Sequence, residues 1–354
     1  MDRETNLVTA LGIFSLMKAK QYTHLARNLK NRILITGGSG FIGTNLIDWY
    51  LSEKIEFANV DKSRPKKDAH FPFWHKCDIL DKNGLQALFN EFSPSTVIHL
   101  AAETDVHGDS LGCYSSNIEG MSNLVDVIAE TKSVRRAIIT STQHVHQFHG
   151  IPQNDQEYFP LGLYGESKVL TEQITRSANL RCDWTIIRPT NIWGPWHNIY
   201  PTGLWRQMLA GRYLHPGKRT VIRSYGYVGN VVHQIERLRI ADPSVTHKKV
   251  FYVGDEPIDL YTWVNAFSLE LTGKNVKIAP RSAIRGLAYV GDLFHLMGIR
   301  FPLTSSRYRN MVIDNPCPMK ETLDVTGPNP YSLVDGVRTT VDWYTNEYLK
   351  NNLR

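Results

Sequence analysis

Apolar positions between residues 33 and 190 follow two alternating patterns. Segments in which apolar residues recur every three to four positions occur at 41–51, 85–92, 117–130 and 164–174. Between them lie short apolar runs of strand length, at 33–35, 55–60, 96–100, 137–141 and 184–187. Strand runs that alternate with helical segments are typical of a doubly wound parallel sheet. The pattern therefore predicts an α/β protein with helices on both faces of the sheet.

Shorter helical and strand patterns, interrupted by Trp and Pro, follow residue 195. We divide the chain into an N-terminal extension (1–31), a sheet domain (32–195) and a smaller C-terminal domain (196–354) interleaved with it. Within the extension, Leu7 to Met17 is the longest apolar run, at 11 residues, whereas a membrane span needs roughly 18. We expect no membrane partner, and only a membrane-surface helix in the extension stays open.

The first strand and the first helix enclose a glycine-rich turn. Gly37, Gly40 and Gly43 have the spacing G-x-x-G-x-x-G between the run at 33–35 and the helical segment. Glycines allow a tight turn and let the backbone approach a pyrophosphate, which binds at the N-terminus of the helix. Asp61 ends the second apolar run, where a carboxylate can accept hydrogen bonds from ribose hydroxyls. Together these residues predict a Rossmann nucleotide-binding unit.

Two carboxylates bear on the choice of cofactor. Asp61 favours NAD, because a carboxylate repels the 2′-phosphate of NADP. Lys62 and Arg64 follow it closely and can offset this repulsion, so NADP stays an alternative. Asp78, after the next short run, is predicted either to accept from the adenine amino group or to cap the following helix.

Polar side chains that can move protons follow the strand at 137–141. Thr142 and His144 come directly after this strand, and Tyr164 and Lys168 begin the next helix. In open parallel sheets, ligands bind outside the carboxyl ends of the strands. Tyr164 and Lys168 are four residues apart and share a helix face, so we expect the ammonium to lower the pKa of the phenol. Thr142 can hydrogen-bond the same substrate oxygen.

These motifs resemble those of the extended short-chain dehydrogenases/reductases, in the NAD-dependent epimerase/dehydratase family that acts on nucleotide sugars. The resemblance covers roughly residues 32–350. The matching stretches are 36–43, 99–102, 117–123, 141–142, Tyr164 with Lys168, 188–195, 223–232 and 335–344. It implies hydride exchange between a nicotinamide and a sugar carbon, with Tyr164 as acid or base. It also implies a homodimer formed through a helix bundle.

The predicted site residues combine these motifs with the resemblance. The catalytic candidates are Thr142, Tyr164, Lys168 and His144. The cofactor-binding candidates are Gly37, Gly40, Phe41, Ile42, Gly43, Asp61, Asp78, Ile79, Leu100, Ala101, Ala102, Tyr164, Lys168 and Pro189. The substrate-binding candidates are Thr104, Thr142, Asn191, His197, Arg223 and Arg309. Arg307 is an alternative to Arg309 for the second contact with the substrate diphosphate.

Departures from the family pattern reduce the number of candidate reactions. Gln143 and His144 stand where the sugar 4,6-dehydratases have Asp-Glu, which disfavours 4,6-dehydration. His144 and His197 can act as acid and base on a 4-keto sugar, or His144 shapes the pocket and His197 lies on the surface. We predict a nucleotide-sugar epimerase or 4-ketoreductase. The alternatives are a nucleotide-sugar dehydratase or decarboxylase, and a non-catalytic NAD(P)-binding regulator.

Charge and cysteine content change this picture little. The formal charge of +6 comes without a dense Lys/Arg block, so we expect a phosphate-bearing substrate and no nucleic acid. The four cysteines form no C-x-x-C motif, which favours a reducing, cytoplasmic compartment. His144, His146 and His149 lack a further class of ligand nearby, so we expect no metal.

Overall fold

Seven parallel strands form the central sheet. The computed structural model describes residues 31–148, 150–299 and 301–352; the predicted extension up to residue 30 and His149 lie outside this part. The strands are β1 (Ile33–Thr36), β2 (Phe57–Asp61), β3 (Trp74–Lys76), β4 (Thr96–His99), β5 (Arg136–Thr140), β6 (Asp183–Pro189) and β11 (Lys249–Val253). Their spatial order is β3-β2-β1-β4-β5-β6-β11. The first six strands have the order of a Rossmann sheet.

Helices cover both faces of this sheet. They are α1 (Phe41–Ser52), α2 (Lys82–Phe92), α3 (Ser115–Glu130), α4 (Gly162–Ser177) and α7 (Val228–Ile240). Ile33 and Ile35 of β1 face one buried cluster, which includes residues of α1 and α7. Leu34 faces a second cluster, which includes residues of α2 and α3. Successive strand residues point to opposite faces, so the sheet is buried on both sides and the predicted α/β Rossmann fold is confirmed.

The remaining elements lie mainly after residue 190 and comprise short strands and helices of 4 to 16 residues. The strands are β7 (Asn191–Trp193), β8 (Leu214–Pro216), β9 (Ile222–Arg223), β10 (Tyr225–Tyr227), β12 (Ile258–Asp259) and β13 (Lys277–Ala279). The helices are α5 (Ile199–Thr202), α6 (Leu204–Leu209), α8 (Pro243–Thr246), α9 (Leu260–Thr272), α10 (Arg281–Leu296), α11 (Ser305–Val312), α12 (Lys320–Thr326), α13 (Leu333–Trp343) and α14 (Leu349–Asn352). Short stretches of 3₁₀ or π helix occur at Asp68–Phe73, Leu111–Tyr114, Gln143–Val145 and Tyr344–Tyr348. The small strands pair as β7 with β10, β8 with β13 and β9 with β12.

Residues after 190 also contribute a strand and a helix to the central sheet and its helix layers. Strand β11 pairs with β6, with Val250 opposite Ile186, and α7 packs against α1. The hydroxyl of Tyr50 on α1 donates to Glu236 on α7 at 3.1 Å. The second half of the chain therefore completes the sheet as well as building the smaller elements.

The start of α2 differs from one of the sequence predictions. Asp81, not Asp78, caps this helix, and its carboxylate accepts from the backbone N–H of Gly84 at 3.0 Å. A capping residue stands directly before the first helical residue, which is Lys82. The interpretation of Asp78 as a helix cap is therefore wrong. Among the described helices, none combines the length and the apolarity of a membrane span.

Candidate active site

The glycine turn lies against the segment that follows β4. Gly37 has a φ of +76°, and a Cβ at this position would overlap backbone atoms of Leu100 and Ala101. A Cβ on Gly43 would overlap the backbone of Gly37 and Gly38. The N–H of Leu100 donates to the carbonyl of Thr36 at 2.8 Å, and this hydrogen bond holds the end of β1 against the segment that follows β4. Only glycine fits at positions 37 and 43.

The N-terminus of α1 is open to an anion. Gly40 precedes this helix, and within the described residues no side chain caps its first turn. The first N–H groups of an uncapped helix are free to bind a phosphate. The predicted residues Phe41, Ile42 and Gly43 form this turn. The glycine turn therefore has the donors and the space that a dinucleotide pyrophosphate requires.

Asp61 lies beside this turn at the end of β2. Its carboxylate accepts from the N–H of Ser39 at 3.0 Å and from the N–H of Ser63 at 2.8 Å, and burial raises its pKa. Lys62 reaches Asp78 at 3.8 Å, and the Arg64 guanidinium stacks on Phe71 at 4.7 Å. Both cations thus have partners other than Asp61. The carboxylate at this position fits the ribose hydroxyls of NAD.

Thr142 and Tyr164 meet at the carboxyl end of β5. The Thr142 side chain accepts from the N–H of His144 at 3.3 Å and lies beside the Tyr164 phenol. Burial raises the pKa of Tyr164 to about 12, an effect that the neighbouring Thr142 side chain opposes and that Tyr114 reinforces. The predicted lowering of this pKa is wrong for the protein alone, because desolvation of a buried phenolate outweighs the favourable contacts.

Lys168 lies one turn further along the same face of α4 and is buried. Burial lowers the pKa of its ammonium to about 8, and the charge of Glu172 opposes this effect. His99, which contacts Thr36 through Nδ1 at 2.7 Å, has its pKa lowered to about 3 by burial and by the Lys168 charge. Near neutral pH, Lys168 can therefore exist in either protonation state while His99 is neutral.

Glu172, which was not among the predicted site residues, lies one turn beyond Lys168 on α4 and joins this helix to the sheet. It is fully buried and accepts from Arg188 through both oxygens, at 2.8 and 2.9 Å. Ser141 donates to Oε1 at 2.6 Å and Tyr158 donates to Oε2 at 3.0 Å. This network ties α4 to the end of β5, directly before Thr142. The helical spacing of Tyr164, Lys168 and Glu172 is the signal that points to it in the sequence.

His144 lies against the ring of Tyr164, with ring centroids 5.7 Å apart. Burial and the nearby Arg223 charge lower its pKa to about 4, so the imidazole is neutral near pH 7. Its buried Nδ1 has no hydrogen-bond partner within the described part of the chain. A neutral imidazole with a free nitrogen can bind a sugar hydroxyl beside the phenol.

His197 has different neighbours. Its ring contacts Phe41 edge-on at 4.7 Å, and its Nδ1 accepts from the N–H groups of Ile199 at 3.0 Å and Tyr200 at 3.3 Å. Burial and the Lys66 charge lower its pKa to about 4. These contacts place His197, half-buried, beside the start of α1.

Two predicted arginines share one aromatic ring. The guanidinium of Arg223 lies 5.6 Å from the centre of the Phe148 ring, and that of Arg309 lies 5.8 Å from it. Arg307 instead donates to the carbonyl of Pro302. Arg223 is buried and also donates to the carbonyl of Ile313 at 3.2 Å. The arrangement thus pairs Arg309, not Arg307, with Arg223.

The other predicted residues border the same edge of the sheet. Asn191 follows β6 and donates to the carbonyl of Ser224 at 3.2 Å, and Pro189 ends β6. Thr104 is exposed after β4, and its N–H donates to Glu103 at 3.0 Å. Ile79 is buried against Gly120 of α3. All four follow or end strands at their carboxyl ends, where an open parallel sheet binds ligands.

Comparisons with known proteins agree with this geometry. The sequence profile of the NAD dependent epimerase/dehydratase family matches residues 33–254, more than half of the chain. A curated relative from Escherichia coli O157:H7, N-acetyl-alpha-D-glucosaminyl-diphospho-ditrans,octacis-undecaprenol 4-epimerase, is 26% identical over 329 residues. This alignment covers 89% of this chain and 96% of the relative.

Two solved structures share the fold. The UDP-glucose 4-epimerase of Thermotoga maritima, with UDP-glucose, has a TM-score of 0.67 at 22% identity, over 90% of this chain and 99% of that one. The UDP-glucuronic acid 4-epimerase of Bacillus cereus, with UDP-glucuronic acid and NAD, has a TM-score of 0.66 at 20% identity, over 89% and 99%. With the glycine turn and Asp61 suited to NAD, the chain belongs to the NAD-dependent epimerase/dehydratase family.

Proposed function

We propose that the protein is an NAD-dependent 4-epimerase of a sugar joined to a diphosphate. The main observation that supports this proposal is that Thr142, Tyr164 and Lys168 lie together at the carboxyl edge of the sheet. Gln143 and His144 follow Thr142 where a 4,6-dehydratase would have two acids. The Gln143 amide cannot exchange a proton in this way, and His144 is the one titratable group of the pair, so the two acids of a 4,6-dehydratase are not both replaced in function.

In this proposal Tyr164 moves the hydroxyl proton of the sugar. NAD, when bound, supplies a hydride acceptor and donor for the sugar carbon. The Thr142 hydroxyl, which lies beside the phenol, orients the sugar oxygen. The Lys168 ammonium lies on the same helix face and favours the phenolate that burial disfavours. The unpartnered Nδ1 of His144 holds a neighbouring sugar hydroxyl.

Arg223 and Arg309 are proposed to bind the diphosphate. Their guanidinium groups flank the Phe148 ring, and guanidinium groups bind phosphate oxygens bidentately. The predicted carrier is a nucleoside diphosphate. A polyprenyl diphosphate, as in the name of the E. coli relative, has the same two phosphates. We further propose that residues 196–354 mainly bind the substrate and that the protein is a homodimer, which sedimentation equilibrium can test.

The first experiment measures the dinucleotide released from the purified, denatured protein, by absorbance and mass. Stoichiometric NAD supports an epimerase that recycles its cofactor. An empty site that binds and consumes added NADH or NADPH would instead support the 4-ketoreductase. Incubation with UDP-glucose, UDP-N-acetylglucosamine and the undecaprenyl-linked sugar, followed by NMR at C4, identifies the carrier.

The matched variant for this assay is Tyr164→Phe, which removes only the hydroxyl. We expect NAD retention with a loss of turnover of at least about 100-fold, as for removal of a general acid–base group. Binding of no dinucleotide by the parent protein, or full activity in Y164F, would refute the proposal.

A further inference from the structure

Helix α10 has apolar residues on two opposite sides. Ile284, Ala288 and Gly291 are buried against the rest of the protein. On the other side, Tyr289, Val290, Leu293 and Leu296 are exposed by 45% to 84%, and they span about 120° of the helix circumference. A helix that is apolar on all sides is normally buried. An uncovered apolar face of this kind indicates an interaction surface.

The exposed face continues into the turn after the helix. Met297 is 64% exposed and Ile299 is 48% exposed. We call these two residues, together with Tyr289, Val290, Leu293 and Leu296, the α10 face. The Arg285 guanidinium lies at its border, donating to the Tyr289 hydroxyl at 3.1 Å. Apolar side chains with a Tyr–Arg border are typical of helices that lie in a membrane interface.

The segment of the chain that contains α10 is rich in basic residues. Between residues 274 and 313 the sequence has seven Lys and Arg residues and one acidic residue, Asp292. The Asp292 carboxylate accepts from the N–H of Ser305 at 3.0 Å and from its hydroxyl, so it serves to join α10 to α11. Lys277 and Arg285 are exposed. Pairing of this face with a second copy would bring these like charges together, whereas an anionic lipid surface complements them.

The α10 face is also connected to the active site. Helix α11, which Asp292 holds through Ser305, carries Arg309. The Arg309 guanidinium lies over Phe148, as does that of Arg223. One helix therefore separates the apolar face from the arginine pair that is proposed to bind the diphosphate.

We propose that the α10 face docks on an anionic membrane surface. The apolar side chains enter the headgroup boundary and the basic residues contact lipid phosphates. Docking places the arginine pair near the membrane, where the diphosphate of a lipid-linked sugar would lie. This last consequence rests on the proposed function, whereas the docking does not.

The experiment is co-sedimentation of the full chain with vesicles. Vesicles of equimolar phosphatidylcholine and phosphatidylglycerol are compared with vesicles of phosphatidylcholine alone. We expect binding to the anionic vesicles, weakened by salt, and a loss of roughly tenfold or more in the double variant Leu293→Gln/Leu296→Gln. A control, Val245→Gln/Val334→Gln, alters two other exposed apolar residues, at 40% and 56% exposure, and should bind as the parent does. Arg285→Gln tests the charge, with an expected loss of about fivefold.

Three results would overturn the proposal. The first is no binding of the parent to anionic vesicles. The second is that the parent, L293Q/L296Q and R285Q all bind the anionic vesicles equally. This result would assign the membrane contact to another segment, such as residues 1–30. The third is self-association that L293Q/L296Q abolishes without any vesicle binding, which would identify a second copy as the partner. Epimerase activity enters none of these readouts, so failure of docking and failure of the proposed function are distinguishable.

Discussion

Replacing Glu172 with Gln removes one charge from the buried network beside Lys168. In the parent, Ser141, Tyr158 and the two guanidinium nitrogens of Arg188 supply four donors to two carboxylate oxygens. A glutamine keeps one oxygen and presents an NH₂ group to the remaining donors. Arg188 is fully buried, and loss of a buried partner charge costs about 3 kcal/mol in the free energy of unfolding.

The same change acts on Lys168. Because the Glu172 charge raises the pKa of Lys168, its removal lowers that pKa below its present value of about 8. If the ammonium supports the Tyr164 phenolate, activity is lost at lower pH than in the parent. We expect the alkaline limb of the kcat/KM profile to shift down by about one pH unit.

Glu236→Gln is the matched control. Glu236 is also buried, accepts from both ends of the Arg239 guanidinium and binds the Tyr50 hydroxyl at 3.1 Å, but it lies on α7, away from Lys168. Urea unfolding should show a similar loss of stability in both variants. Only E172Q should shift the pH profile. An unchanged alkaline limb in E172Q, or the same shift in E236Q, would refute the inference that the Glu172 charge acts on activity through the pKa of Lys168.

Three further substitutions test the site. Lys168→Met should abolish turnover yet stabilise the protein at pH 7, because burial lowers the Lys168 pKa to about 8. Below pH 8 the buried charge destabilises the folded parent by up to about 3 kcal/mol, and the parent regains this stability as the pH rises to about 10.5. Equal stability of both proteins at pH 7 would contradict this reasoning. Gly37→Ala should abolish NAD retention, because the added Cβ would overlap the backbone after β4 and the residue has a φ of +76°. Gly40→Ala, at a position with a φ of −73°, should retain more NAD than Gly37→Ala. Calorimetry with NAD measures both affinities. Arg309→Ala should raise KM roughly tenfold with little change in kcat, and an equal effect of Arg307→Ala would count against the arginine pair.

The glycine turn and the acid after β2 are predictable from the sequence because their causes are local. A turn that needs a positive φ at Gly37 and close backbone approach at Gly43 requires glycine whatever surrounds it. The spacing of Tyr164 and Lys168 places them on one helix face by geometry alone. Alternation of strand and helix patterns likewise predicts the doubly wound sheet.

Contacts between segments distant in the chain decided the features of the site that could not be predicted. Glu172 binds Ser141, 31 residues earlier, and Arg188, 16 residues later, and no local pattern pairs these residues. Burial reversed the predicted direction of the Tyr164 pKa shift, since desolvation depends on everything packed around the phenol. The choice of Arg309 over Arg307 depends on where Phe148 lies.

The sequence by itself determined the fold class, the glycine turn and the helix face that Tyr164 and Lys168 share, because each follows from backbone sterics or the period of a helix or strand. Only the tertiary structure decided which charges are buried together, which arginine faces Phe148, and that one side of α10 is left uncovered. These properties depend on packing between elements far apart in the chain, and packing sets both the desolvation of a group and the partners within its reach.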